Sequence, residues 1–155
     1  MDVKELNKRD ITDGKKRLFN VFDQFDRLLG ELRKRNVPED IVSIINKEIE
    51  IINGVTDSEK KLRKQIRNSQ TKILRLLEKQ LKLVSVNYYR NTWLVVGMAA
   101  FGIPLGAAYG SITGNMAFIG IGLPIGMALG MAVGAGMDKK ALKEGRQLDI
   151  EIKHN

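Results

Sequence analysis

The sequence predicts an all-α protein: an N-terminal amphipathic helical bundle or coiled-coil hairpin, followed by a two-helix transmembrane glycine-zipper hairpin. Three observations carry that expectation. Of the 26 Lys+Arg and 18 Asp+Glu in 155 residues, 21 and 14 lie in residues 1–90 and 5 and 4 in residues 138–155, so residues 91–137 carry no charge. Forty-seven uncharged residues in a row do not suit the surface of a small soluble domain, but two membrane helices of about 20 residues each fit inside them. Outside that block apolar residues recur at three- and four-residue steps, the period of a helix with one buried face. Inside it glycines recur at four-residue steps, which keeps them on one face of a helix.

The first element is expected over residues 11–35, where Leu18, Val21, Phe22, Phe25, Leu28, Leu29 and Leu32 share a face and Asn36-Val37-Pro38 ends the run. A second helix starts at Pro38, with Glu39 and Asp40 in a first turn whose dipole favours negative charge. Its stripe is Ile41, Ile44, Ile45, Ile49 and Ile52, and Asn53-Gly54 closes it. A third helix, capped by Thr56 or Asp57, is expected to run long, because no Pro or Gly interrupts residues 55–96. Its apolar side is Leu62, Ile66, Ile73, Leu76, Leu77, Leu81 and Val84. Three such helices with short connections make an antiparallel bundle or hairpin, whose stripes form its core or a partner-binding or coiled-coil surface.

Charge changes sign along this region. Residues 1–59 hold 11 basic and 13 acidic groups, while residues 60–90 hold 10 basic groups and only Glu78. The basic set is Lys60, Lys61, Arg63, Lys64, Arg67, Lys72, Arg75, Lys79, Lys82 and Arg90. Next to a membrane segment these suit anionic lipid headgroups, at about 1 kcal/mol per residue near the surface. A solvated helix face and nucleic-acid phosphates are the other readings.

The apolar block, 92–136, divides into two spans. Tyr88, Tyr89 and Trp93 stand at its entrance as interface anchors, and Asp138-Lys139-Lys140 at its exit. Basic residues flank both outer ends and none lies in the connecting loop, so the positive-inside rule places both termini in the cytoplasm. The opening MDVKELNKRD has no apolar core, so no signal peptide is expected and the internal block must direct targeting. The domains expected are therefore a cytosolic three-helix region over 1–90 with its basic juxtamembrane stretch at 60–90, a membrane hairpin over 91–137, and a polar cytosolic tail over 138–155. In that tail Leu148, Ile150 and Ile152 alternate as in a strand, but a flexible tail is the simpler expectation.

Within the block Gly102-Ile103-Pro104-Leu105-Gly106 and Gly122-Leu123-Pro124-Ile125-Gly126 repeat one pattern, extended to Gly110 and Gly114 and to Gly130 and Gly134. Missing side chains let two backbones approach closely. An antiparallel register pairs Gly102 with Gly134, Gly106 with Gly130, Gly110 with Gly126 and Gly114 with Gly122, with the turn centred near Phe118 and Asn115 beginning it. The opposite face is also small, with Ala100, Ala108, Ala128, Ala132 and Gly136, and is expected to join neighbouring copies into a homo-oligomer. Pro104 and Pro124 are expected to kink their helices, as a structural bend or a gating hinge. Tyr109, Ser111, Thr113 and Asn115 are the polar groups near the far side, as interfacial residues or a pore mouth. No ionisable group lies inside either span, so coupled ion transport lacks its usual carriers.

On the motifs GIPLGAAYGSITG and GLPIGMALGMAVG the chain resembles small bacterial glycine-zipper membrane proteins over residues 92–137. The resemblance implies homo-oligomerisation of membrane helices, a property of some channels, toxins and bacteriocins. In general plan, an amphipathic bundle joined to an apolar hairpin is also similar to helical pore-forming toxins.

Enzyme chemistry is not expected. The chain has no Cys, which removes disulfides, thiolate zinc sites and thiol nucleophiles, and its one histidine is His154. No glycine series ends in Gly-Lys-Ser/Thr, and Gly120-Ile121-Gly122 lacks the spacing of a dinucleotide loop. No cofactor or metal is expected. The partners expected are the lipid bilayer, anionic headgroups, further copies of the chain and a cytosolic protein. Two functions fit: a self-associating membrane protein that forms a pore or perturbs the bilayer under control of its cytosolic domain, or a passive anchor that presents a partner-binding bundle.

Overall fold

The computed structural model describes residues 2–7, 16–56 and 58–152. Among these residues the regular structure is helical apart from two short strands. The chain divides into two compact units, Met1–Leu83 with Leu148–Asn155, and Val84–Gln147.

In the first unit, α1 (Lys16–Arg33) buries Leu18, Val21, Phe25, Leu28, Leu29 and Leu32, as the three- and four-residue spacing requires. The part of this helix expected over 11–15 lies outside the described residues. Pro38 occupies the N-cap of α2 (Glu39–Asn53), so the donor that proline lacks falls where a helix start has no acceptor for it, and Gly54 follows the last turn. α3 (Glu59–Leu81) packs on both α1 and α2. Its N-cap is Ser58, whose hydroxyl accepts from the Lys61 N–H at 3.3 Å. Thr56 does not take that role, and Asp57 lies outside the described residues.

Two expectations for these helices are corrected. Ile44 does not join the α2 stripe and is 44% exposed, whereas Val42 is buried. The stripe centres on Ile41, Ile45, Ile49 and Ile52, about 100° around the helix from Ile44, and the turn toward Val42 and Asn46 is the one that residues 2–7 cover. α3 also stops earlier than expected. Lys82 adopts a left-handed conformation (φ 55°), its N–H returns to the Glu78 carbonyl, and Val84 begins a strand instead of the next helical turn. No Gly or Pro marks this end, so composition does not reveal it.

A polar cluster crosses the α2–α3 contact. The Ser69 hydroxyl donates to Glu48 Oε2 at 2.6 Å, Lys72 Nζ donates to Oε1 at 3.1 Å, and Gln65 Nε2 donates to Ser69 Oγ at 3.1 Å. Glu48 and Ser69 are buried, and these bonds satisfy a carboxylate that would otherwise be costly there.

The C-terminal residues complete this core. Over its described part, which ends at residue 152, the tail expected over 138–155 is structured: α6 continues to Lys143, and β2 (Gln147–Glu151) follows. Leu148 and Ile150 enter the core cluster of the first unit, with Ile152 packed against it, because period-two alternation puts all three on one side. Removing Leu148, which is fully buried, is expected to be expensive. Leu148→Ala should lower the unfolding free energy of the bundle by about 2–5 kcal/mol, read as an earlier loss of helical circular dichroism in urea.

Beside β2, the Asp149 N–H donates to Glu31 Oε2 at 3.3 Å, and Lys34 Nζ pairs with Oε1 at 2.7 Å. The lysine hydrogen bond chiefly, against a smaller opposing effect of burial, holds the Glu31 carboxyl below its ordinary value of 4.5. A carboxyl lowered in the folded state stabilises fully above its unfolded value and loses that contribution as pH falls through the folded one. Glu31→Gln should therefore destabilise at neutral pH and flatten the acid limb of the stability profile below about 4.5, measured by urea titrations between pH 3 and 7.

The second unit runs through β1 (Val84–Val86), α4 (Tyr88–Gly97), a π-helical turn (Met98–Gly102), α5 (Ile103–Thr113), a 3-10 turn (Met116–Phe118) and α6 (Ile119–Lys143). α4, the π turn and α5 continue as one helix of 26 residues, Tyr88–Thr113, and the returning helix, Met116–Lys143, has 28. Both are long and apolar enough to cross a membrane. Gly145 (φ 68°) ends α6, Arg146 N–H returns to the Ala141 carbonyl at 2.9 Å, and Val84 N–H donates to the Arg146 carbonyl at 3.0 Å.

Candidate functional site

The site with the most specific geometry is the helical hairpin of the second unit. Its reversal is short. Gly114 takes φ 72°, open to glycine at no steric cost, and ends α5. Asn115 is extended, and its side-chain oxygen accepts from the Ala117 N–H at 2.9 Å, which starts the returning helix. Asn115 thus begins the turn as expected, but the turn centres on Gly114–Asn115 rather than near Phe118. Phe118 already stands beside α6, its ring edge-to-face with Tyr109 at 4.9 Å.

The tighter turn resets the register. Gly102 faces Gly122 rather than Gly134, and Gly106 faces Phe118 and Ile119 rather than Gly130. Gly110 lies against Asn115 and Met116, and Gly114 has no neighbour within 4 Å of where its Cβ would be. The shift from the expected pairing is about twelve residues, a little over three helical turns. Apart from Gly114, each glycine of the two series still meets backbone. A Cβ at Gly126 would stand 2.4 Å from the Gly102 nitrogen, one at Gly130 2.0 Å from the Trp93 carbonyl oxygen, and one at Gly134 2.5 Å from the Arg90 Cα. Seven of the eight expected glycines are buried at this contact; Gly114 is exposed at the turn, and Gly97, toward the other end of the ridge, is buried against Gly126 and Gly130.

Gly97 escapes a four-residue reading because it precedes Gly102 by five. The π turn over Met98–Gly102 absorbs the extra residue: the Ile103 N–H reaches back five positions to the Met98 carbonyl, which brings Gly97 onto the same face as Gly102, Gly106 and Gly110. Pro104 follows in the first turn of α5, so its missing donor falls where the ordinary bonding pattern is already interrupted. Pro124 lies inside α6.

Asp138, expected only as part of the exit of the apolar block, has a packing role as well. It stands four residues after Gly134 and so continues the glycine ridge of α6 by one step. There it supplies a carboxylate: Oδ1 accepts from the Tyr89 N–H at 3.0 Å and Oδ2 from the Arg90 N–H at 2.9 Å. These are first-turn amides of α4, whose own N-cap, Asn87, provides no side-chain cap bond. One helix of the hairpin therefore caps the other, placing negative charge at the positive end of the α4 dipole.

Ala100, Ala108, Ala128, Ala132 and Gly136 are exposed on the outside of the hairpin, and nothing lies within 4 Å of a Cβ at Gly136. Tyr88 and Tyr89 pack edge-to-face at 5.2 Å, and they and Trp93 are half-buried. The hydroxyls of Ser111 and Thr113 donate to the Ala107 and Tyr109 carbonyls, each at 2.9 Å. In the basic set Lys60, Lys61, Lys64, Lys72, Arg75, Lys79 and Lys82 are exposed, and Arg63, Arg67 and Arg90 are half-buried. Lys72 also has the bundle role at Glu48 described above. His154 lies outside the described residues. The chain matches no protein-family model, no curated protein and no solved structure.

Proposed function

We propose that this chain is a non-enzymatic integral protein of a bacterial cytoplasmic membrane, related in kind to small glycine-zipper proteins, that self-associates and is controlled by its cytosolic helical unit. Residues 91–137 cross the bilayer twice, and the flanking regions face the cytoplasm. The observation that carries this reading is the division of labour between two small-residue faces. The glycine ridge is used up within the hairpin, while Ala100, Ala108, Ala128 and Ala132 remain on its outside, where lipid or a neighbouring copy must cover them. The lysines and arginines of α3 suit anionic headgroups better than nucleic-acid phosphates, given the adjacent apolar spans.

In its most specific form, assembly opens an ion path or disturbs the bilayer. The internal hydrogen bonds of Ser111 and Thr113 favour a second reading, a passive anchor, because a hydroxyl bonded to its own helix has already used its donor. Induced expression with a membrane-potential dye separates the two. Depolarisation that disappears in an Ala128→Leu, Ala132→Leu variant supports the first. An unchanged potential, with oligomers present and normal membrane expression, supports the anchor.

A further inference from the structure

We propose that the groove holding residues 2–7 on the first unit is a peptide-recognition site that, in the assembled protein, takes the same segment of a second copy. This rests on the self-association reading above. The segment has no helix or strand of its own, and side chains read its backbone. The Asn46 amide accepts from the Lys4 N–H at 2.8 Å and donates to the Asp2 carbonyl at 3.0 Å, the two bonds that a neighbouring strand would supply. Two turns further along α2, Asn53 Oδ1 accepts from the Asn7 N–H at 3.0 Å. From α1, Arg33 donates to the carbonyls of Val3 at 3.2 Å and Lys4 at 2.8 Å. Val3 and Leu6 enter the core cluster, and Lys4 pairs with Glu50 at 2.5 Å.

The recognition is therefore of main-chain groups plus two apolar side chains three residues apart, and none of these contacts depends on which chain supplies the segment. Every further copy brings both a matching arm and a matching groove, so a reciprocal exchange leaves no group unpaired. The eight residues 8–15 between the arm and α1 allow a reach of up to roughly 30 Å. Hairpins associated in one membrane hold arm and groove of different copies at a high effective concentration, the condition under which a second copy's arm competes with the chain's own.

The absence of cysteine makes the test direct. Two differently tagged full-length chains, one Lys4→Cys and one Glu50→Cys, are coexpressed and treated in membranes with a short bis-maleimide. Arm exchange gives a product carrying both tags. That product should fall by about tenfold or more when Leu6→Asp is added to the Lys4→Cys chain, because the carboxylate would have to enter an apolar pocket. A two-tag product indifferent to Leu6→Asp reports collision and overturns the proposal. Crosslinking confined to single chains of a Lys4→Cys, Glu50→Cys double variant, while Ala132→Cys chains still link to each other in the bilayer, overturns the exchange and leaves self-association standing. If Ala132→Cys chains also fail to link, both fall.

Discussion

Gly130→Ala and Gly126→Ala are expected to break the close packing of the hairpin, each at a cost of about 3 kcal/mol or more. The added methyl would lie 2.0 Å from the Trp93 carbonyl oxygen in the first case, and 2.4 and 2.5 Å from the Gly102 nitrogen and Gly97 carbonyl oxygen in the second. All of these are main-chain atoms, so no rotamer change relieves the overlap and the helices themselves must separate. Gly120→Ala and Gly136→Ala add the same methyl where nothing lies within 4 Å. These two should be neutral or slightly stabilising, since alanine favours a helix over glycine by about 1 kcal/mol. Spin labels at the exposed positions Val95 and Leu129 should report a wider separation in the first pair of variants and no change in the second.

The second large effect is expected at Asp138. Its carboxylate accepts two α4 amides at 3.0 and 2.9 Å and is 8% exposed. Hydrogen bonds to a charged group contribute about 1.5–3 kcal/mol each, and Asp138→Ala also leaves two first-turn donors without their cap. A loss of about 3 kcal/mol follows, read as a lower midpoint in detergent unfolding and as fraying at the start of α4. Asp138→Asn keeps one oxygen acceptor and should lose less. Lys139→Ala, at an exposed neighbour, should lose almost nothing.

Both residues show where the sequence was legible and where it was not. Apolar spacing located α1, α2 and α3 because burial of one helical face is what selects those residues. The four-residue glycine steps identified the packing face of the hairpin for the same reason. The register was not legible, because it depends on where the chain reverses. A left-handed Gly114 followed by a capping Asn115 reverses it within two residues, whereas the pairing of glycine with glycine implied a centre near Phe118. Gly97 was hidden by a π turn that no hydropathy pattern encodes. Asp138 was within reach, since it follows Gly134 by the same four-residue step, but its charge made it look like a membrane exit signal. The end of α3 at Lys82 is a left-handed cap closed by local backbone bonds that no Gly or Pro announces, and the burial of Leu148 arises from contacts that lie far apart in sequence.

The central claim is that the two apolar helices cross a bilayer together and reverse at Gly114–Asn115. Because the chain has no native cysteine, single thiols at Asn115→Cys and Lys143→Cys can be probed in intact cells with an impermeant maleimide. The account predicts labelling of position 115 from outside, and labelling of position 143 only after the cells are opened. Equal labelling of both positions from one side, or release of the protein from membranes by an alkaline wash, would contradict it.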